Sequence, residues 1–481
     1  MKSKKIIGRI KEQIILNKAL QSNESELVSI VGRRRVGKTF LIETVYQKNI
    51  VFELTGIQDA PRLEQLQNFT IQLTKQTKSP ISIPIPKNWL AAFNLLTEYL
   101  ETKLSKKKIV VFLDELPWMA TRKSGFLRGL SWFWNSWAIK KNIVVVICGS
   151  AASWMIQKVV RDTGGLHNRI TKRIYLDTFD LAETEAFLKI KSPNINRYQI
   201  LQIYMAMGGV PHYLKAVEGG KSAVQNIDNI CFSKNGLLQD EFDLLYPALF
   251  DNSEEHIKVI RLLAAKKQGL TRKELIENGK LSQGGNTSKV IEELVHSGFI
   301  SPYYAFGKKK RNIQYRLTDE YTLFYLKFIE KNRSEGAGTW KKLSQTQTWK
   351  SWSGYAFESI GLKHIHQIKK ALSIGGVYSE ASTFSFKGNE EIPGCQIDLL
   401  IDRNDHVINL CELKFYKEDY LMTKAYAKDL RIKMAAFKAA TKTKKQIFLT
   451  FLTTFPLIEN KHTIGLIDEA LTMDVLFEKA A

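Results

Sequence analysis

A chain of 481 residues exceeds what one hydrophobic core supports and divides into roughly three or four domains. Its 44% hydrophobic and 25% charged residues exclude a disordered chain, and no run nears the ~18 apolar residues of a membrane-spanning helix. Lys and Arg number 71 against 48 Asp and Glu, and the resulting +23 suits a polyanionic partner, most simply nucleic acid; a generally basic composition or a solubility effect yields the same sum.

Cys148, Cys231, Cys395 and Cys411 lie far apart with no C-x-x-C pair, so neither a zinc site nor a disulfide framework is expected. Met1-Lys2-Ser3-Lys4-Lys5 is basic with no apolar stretch behind it. The expectation is a soluble, cytoplasmic protein with no membrane partner.

In chain order, Gly8-Arg9-x-x-Glu12 opens a helix that runs to about Ser22, and such a segment can wrap the adenine side of a nucleotide. The apolar run Leu27 to Val31 predicts a buried strand. Directly after it, Gly32-Arg33-Arg34-Arg35-Val36-Gly37-Lys38-Thr39-Phe40 fits the phosphate-loop pattern G-x-x-x-x-G-K-[ST], and a helix starts at Thr39. The glycines let successive amides and the helix N-terminus point at one polyphosphate. Lys38 would reach the β- and γ-phosphates, and the Thr39 hydroxyl would ligate Mg²⁺.

Lys108 to Leu113 predicts a second buried strand, which delivers Asp114 and Glu115 at its C-terminal end, where ligands of α/β sheets bind. Asp114 is expected on Mg²⁺, and Glu115 as the base that orients the attacking water. Phe126 to Ile139 predicts a helix whose Trp132, Trp134 and Trp137 suit a core better than a base-stacking platform. Asn142 to Gly149 is a further strand, ending at Ser150 where a γ-phosphate sensor would sit.

Together, Gly8-Arg9, the phosphate loop, Leu113-Asp114-Glu115 and Gly149-Ser150 resemble the archaeal-type ATPases, a group close to AAA+ and STAND enzymes. Gly208-Gly209-Val210-Pro211-His212-Tyr213-Leu214 matches that family's Gly-Gly-x-Pro-x-Tyr-Leu lid element, and Arg169 to Arg173 matches its basic segment after the sensor strand. The resemblance implies an ATPase with ATP and Mg²⁺ as cofactors, with Arg169 and Arg173 as candidate γ-phosphate or inter-subunit arginines. Among 71 basic residues, a solvated charge is the competing reading of either. Assembly into a homo-oligomer stays open.

The middle of the chain predicts three helices, the second starting after Thr271 with Glu274 as its capping-box partner, the third running from Asn286 to Val295. A hairpin follows, with the basic tip Gly307-Lys308-Lys309-Lys310-Arg311. This is the layout of a winged helix-turn-helix that would expose Ser288 and Lys289 to a DNA groove and set the tip against phosphates. A rigid spacer or protein-docking module has the same layout, and Glu292 and Glu293 count against base readout.

The C-terminal part starts after a Trp- and Ser-rich boundary at Trp349 to Ser353, with Glu358 on the helix beyond it. Asp398 lies in one apolar strand, and Glu412 and Lys414 lie two apart in the next. Asp398 with Glu412-x-Lys414 resembles the core of the PD-(D/E)XK nucleases. That resemblance implies Glu358, Asp398 and Glu412 as Mg²⁺ ligands and Lys414 beside the hydrolytic water. Lys424, Lys428 and Lys433 would meet phosphates from the following helix. The expected architecture is an α/β protein: a parallel-sheet ATPase core at 1–180, a helical lid at 181–240, a winged helix at 250–330 and a mixed α/β nuclease-like domain at 345–481. An ATP-hydrolysing switch acting on DNA competes with a regulatory ATP-binding scaffold whose C-terminal domain binds nucleic acid or protein without cutting.

Overall fold

A computed structural model describes residues 5–77, 83–160, 165, 166, 168–250, 252–307 and 313–479. The chain divides into two compact units, residues 1–178 with 249–251, and residues 179–248 with 252–481.

In the first unit, β1 (Glu26–Val31), β2 (Ile50–Thr55), β3 (Ile109–Asp114), β4 (Ile143–Gly149) and β5 (Lys172–Tyr175) form one all-parallel sheet. Its order is β2-β3-β4-β1-β5. Every residue of β1, β3 and β4 is buried, because helices cover both faces of a parallel sheet. Side chains alternate accordingly: Val110 and Phe112 pack with Leu16, Leu41 and Tyr46 on one face. Val111 and Leu113 pack with Leu66, Phe93 and Phe133 on the other.

The sheet order sets up the site. Since β4 lies between β1 and β3, Ser150 emerges between the loop that follows β1 and the acidic end of β3. In the segment after Gly125, Trp134 is buried in the core, whereas Trp132 is 36% exposed and Trp137 donates to Glu101 at 2.7 Å.

The second unit opens with helices Leu181–Leu188, Arg197–Met207, Pro211–Leu214 and Ala223–Cys231. Gly208 has φ +63°, and a Cβ on Gly209 would lie 1.8 Å from the Phe179 carbonyl oxygen, so the first glycine is favoured by its positive φ and the second is required by close backbone approach. Helices Ser253–Ala264, Arg272–Gly279 and Gly285–His296 follow, with Thr271 and Glu274 forming a capping box. They accompany an antiparallel sheet of β6 (Leu270–Thr271), β7 (Ile300–Tyr304) and β8 (Ile313–Leu317), in the order β6-β8-β7. Lys308 to Arg311 of the basic tip lie outside the described residues.

The last part holds β9 (Ser379–Phe386), β10 (Cys395–Arg403), β11 (Val407–Lys414), the short β12 (Tyr420–Leu421), β13 (Gln446–Thr453), the short β14 (Leu457–Ile458) and β15 (Glu469–Thr472). The five longer strands form a mixed sheet in the order β15-β13-β11-β10-β9, antiparallel from β9 to β11 and parallel from β11 to β15. The stretch Trp349 to Ser353 lies inside the helix Gln347–Lys363, where Trp349 and Trp352 stack at 5.3 Å and pack against Phe328. The hairpin is docked on the mixed sheet: Phe306 donates its amide to Thr383 at 2.9 Å, and its ring lies 5.4 Å from that of Phe437 in the C-terminal core.

Candidate nucleotide site and C-terminal acidic cluster

Two conformational constraints shape the loop after β1. Arg35 and Gly37 both take left-handed backbone, at φ 69° and 93°, and Gly37 caps the helix Lys38–Val45. Gly32 is held to glycine by the neighbouring strand exit, since a Cβ there would lie 2.5 Å from the Leu176 carbonyl oxygen. Lys38 is buried and donates to the carbonyls of Gly32 at 2.8 Å and Arg33 at 3.0 Å. Arg33 and Val36 are buried, while Arg35 and Phe40 are exposed beside the loop.

Thr39 Oγ1 donates to Asp114 Oδ2 at 2.6 Å. The backbone N–H and hydroxyl of Ser150 both donate to Glu115 Oε2, at 3.0 and 2.8 Å. Glu115 itself sits at φ 48°, the left-handed residue that turns the chain from β3 into the helix Leu116–Met119. A helix N-terminus and a buried lysine suit a polyphosphate, and a hydroxyl paired with a carboxylate offers hard oxygens for Mg²⁺, all at the C-terminal ends of the central strands.

The outlying arginines divide. Gly8 and Arg9 are both left-handed, at φ 62° and 54°. The Arg9 guanidinium donates to the carbonyls of Asp177 at 2.5 Å and Val36 at 3.4 Å, which makes it a brace of the phosphate loop. Arg34 donates to Gln58 at 3.0 Å and lies over the Trp118 ring. Arg169 lies away from the phosphate loop. It lines a surface pocket with Ser25, Lys141 and Asn142, at the end of the sheet opposite the phosphate loop. Arg173 pairs with Ser29, three residues and about 10 Å of strand before Gly32, and is exposed.

In the second unit, β10 and β11 bring Asp398 and Glu412 into one charged cluster with Glu358 of the helix Gln347–Lys363. Glu412 is buried and fully engaged: Oε1 accepts from Tyr426 at 2.6 Å and faces Lys414 at 2.9 Å, while Oε2 accepts from Lys433 at 2.7 Å. Burial raises its pKa, but the charges of Lys414 and Lys433 outweigh that and hold it below the usual range. Glu358 is pushed up to about 8 by burial and by Asp398, and Asp398 is raised by burial and by Glu412. Lys414 is held above its ordinary value, since Glu412 more than offsets its burial.

Lys433 is an ion-pair partner of Glu412, whereas Lys424 and Lys428 are exposed. Among the described residues, no three His, Cys, Asp or Glu side chains are grouped to hold a metal ion. Glu412 spends its oxygens on two lysines and a tyrosine. Tyr426 and Lys433 went unassigned to the cluster although their spacing of seven puts both on one helix face. Arg316, whose charge also reaches Glu358 and Asp398, had no local signal at all.

One comparison with known proteins, the family match over residues 7–217, bears on the first of these sites. The chain is 22% identical over 417 residues to an uncharacterized protein of Methanocaldococcus jannaschii, covering 85% of this chain and 87% of that one. Among solved structures, it is similar to the Walker-type ATPase of Pyrococcus abyssi, with TM-score 0.47 and 17% identity over 67% of this chain and 96% of that chain. It is also similar to the ORC2 protein of Aeropyrum pernix in its ADPNP and ADP complexes, with TM-score 0.40 and 15% identity over 69% of this chain and 96% of that chain. Residues 7–217, which hold the phosphate loop, Asp114, Glu115 and Ser150, match the family described as an ATPase domain predominantly from Archaea.

Proposed function

We propose that the chain is an ATP-binding and ATP-hydrolysing switch whose C-terminal domain is directed at DNA. The carrying observation is that Thr39 meets Asp114 and Ser150 meets Glu115 at the C-terminal ends of the central strands. In this reading Lys38 and the loop amides hold the β- and γ-phosphates, Thr39 and Asp114 hold Mg²⁺, and Glu115 orients the attacking water while Ser150 keeps its carboxylate in place. Bound Mg²⁺ would neutralise charge on the phosphates.

The division into an ATPase core at 1–180, a lid at 181–240, a winged helix at 250–330 and a nuclease-like domain at 345–481 belongs to the same proposal. Three helices followed by a hairpin support the winged helix, where Lys289 is exposed and Ser288 accepts from Arg272 at 2.9 Å. Asp398, Glu412 and Lys414 on adjacent strands, with Glu358 beside them, support a nuclease-like site.

One observation favours a second reading, a C-terminal domain that binds nucleic acid without cutting: both oxygens of Glu412 are already neutralised by lysines. The experiment uses wild-type protein, Lys38→Ala and Asp398→Ala with plasmid, linear and single-stranded DNA in Mg²⁺, with and without ATP. Phosphate release and strand breaks are followed together. Breaks that vanish in Asp398→Ala support the nuclease reading. Phosphate release that vanishes in Lys38→Ala, with no breaks on any substrate, leaves an ATPase with a binding domain.

A further inference from the structure

Arg316 lies on β8 of the hairpin, outside the sheet that carries the acidic cluster, yet its charge acts on both Glu358 and Asp398. Its guanidinium carbon is 5.5 Å from the ring centre of Tyr303 on β7 and 5.6 Å from that of Tyr355 on the helix Gln347–Lys363. Tyr355 and Glu358 are three residues apart on that helix and so share a face. The side chain is 7% exposed. Among the described residues, its guanidinium donates no hydrogen bond and no carboxylate lies within ion-pair distance.

A buried guanidinium without a counter-ion is costly, and a purely structural arginine whose charge reaches two carboxylates would be expected to pair with one. Arg316 instead has its planar face held by aromatic rings, which leaves its fork of N–H donors uncommitted. The hairpin that carries it is tied to the mixed sheet: the Phe306 amide bonds to Thr383 on β9, and the Phe306 ring is set into the C-terminal core. The guanidinium geometry matches a phosphate oxygen pair, and the neighbouring Lys414 adds a second cation.

We infer that Arg316 binds a backbone phosphate of a nucleic-acid strand at the C-terminal cluster, so that the site is composite, with its phosphate-holding arginine supplied by the hairpin and its carboxylates and lysine by the mixed sheet and its helix. This rests on the reading of that cluster as nucleic-acid-directed.

The test measures affinity of the full chain for labelled single-stranded and duplex oligonucleotides across a salt series in EDTA, by fluorescence anisotropy, for wild type, Arg316→Gln, Arg316→Lys and Lys414→Ala. Circular dichroism and melting temperature monitor the fold. Arg316→Gln should weaken binding about tenfold and flatten the plot of log affinity against log salt by one phosphate contact, ~0.7 on single strands and ~0.9 on duplex. Arg316→Lys should keep the slope and lose part of the affinity, because the charge remains while the fork is gone. If Lys414→Ala weakens binding while both Arg316 variants match wild type in affinity and slope, the arginine is packing only and this inference fails while the cluster reading stands. If wild type binds neither oligonucleotide at low salt, or if neither Lys414→Ala nor the Arg316 variants change its binding, the cluster reading fails and takes the inference with it. Should Arg316→Gln not fold, Arg316→Lys decides: wild-type affinity at an unchanged melting temperature overturns the assignment.

Discussion

Ser150 holds Glu115 through two hydrogen bonds to one carboxylate oxygen, 3.0 Å from its amide and 2.8 Å from its hydroxyl. The residues are 35 apart in the chain and meet because β4 pairs in parallel with β3, so that both strands end at the same place. Ser150→Ala removes the hydroxyl and keeps the amide. ATP hydrolysis should fall about tenfold with nucleotide affinity nearly unchanged, whereas Glu115→Gln should cost on the order of a hundredfold or more. Steady-state phosphate release beside nucleotide titration separates the two effects, and a wild-type rate in Ser150→Ala would remove Ser150 from the mechanism.

Thr39 and Asp114 are bonded at 2.6 Å, a hydroxyl and a carboxylate suited to share one hard cation. Chelating Mg²⁺ should therefore abolish hydrolysis. Asp114→Asn should lower it by roughly a hundredfold or more at fixed Mg²⁺, since the metal's charge stabilisation is worth several kcal/mol. Hydrolysis that persists in EDTA would exclude the metal assignment.

Gly209 has no room for a side chain, with the Phe179 carbonyl oxygen 1.8 Å from the place of a Cβ. Gly209→Ala should destabilise the second unit by about 1–3 kcal/mol through forced backbone movement. Calorimetry is the check: an unchanged melting temperature means that the loop relaxes freely.

His364 is buried and neutral, donating from Nδ1 to the Ile360 carbonyl at 2.8 Å and accepting at Nε2 from the Leu181 amide at 3.1 Å. Burial lowers its pKa to about 4, against ~6.5 in an unfolded chain. Between those values the unfolded chain binds a proton that the folded chain refuses. Stability from this residue is thus complete above about pH 6.5 and is lost as pH falls toward 4, by up to about 3 kcal/mol. His364→Gln should flatten the melting temperature against pH across that window; an unaltered profile would refute the assignment.

Glu358 runs the other way. Burial and then Asp398 raise its carboxyl to about 8, so the folded chain holds a proton that the unfolded chain has released. Its contribution is fully present below about pH 4.5 and is lost as pH rises through 8. Glu358→Gln should raise the melting temperature at pH 8.5 more than at pH 5. Equal shifts at both would mean that the carboxyl titrates normally.

The phosphate loop, the buried strands β1, β3 and β4, and the Thr271–Glu274 cap were legible in the sequence, because each is set within one turn or one strand by backbone period, glycine conformation and near-neighbour hydrogen bonds. Glu412 and Lys414 were readable as one pair for the same reason, lying two apart on a strand. The composition break at Trp349 to Ser353 lies inside one helix because its tryptophans bury against Phe328 and Trp340, a long-range contact that composition does not show. The place of Arg169 was not legible either, since a motif gives a position along the chain but not which end of the sheet it reaches. Ser150 on Glu115, Lys433 on Glu412 and Arg316 between Tyr303 and Tyr355 all depend on strand order and on how modules dock. Those arrangements follow from burying surfaces contributed by segments far apart in the chain, and no local periodicity encodes them.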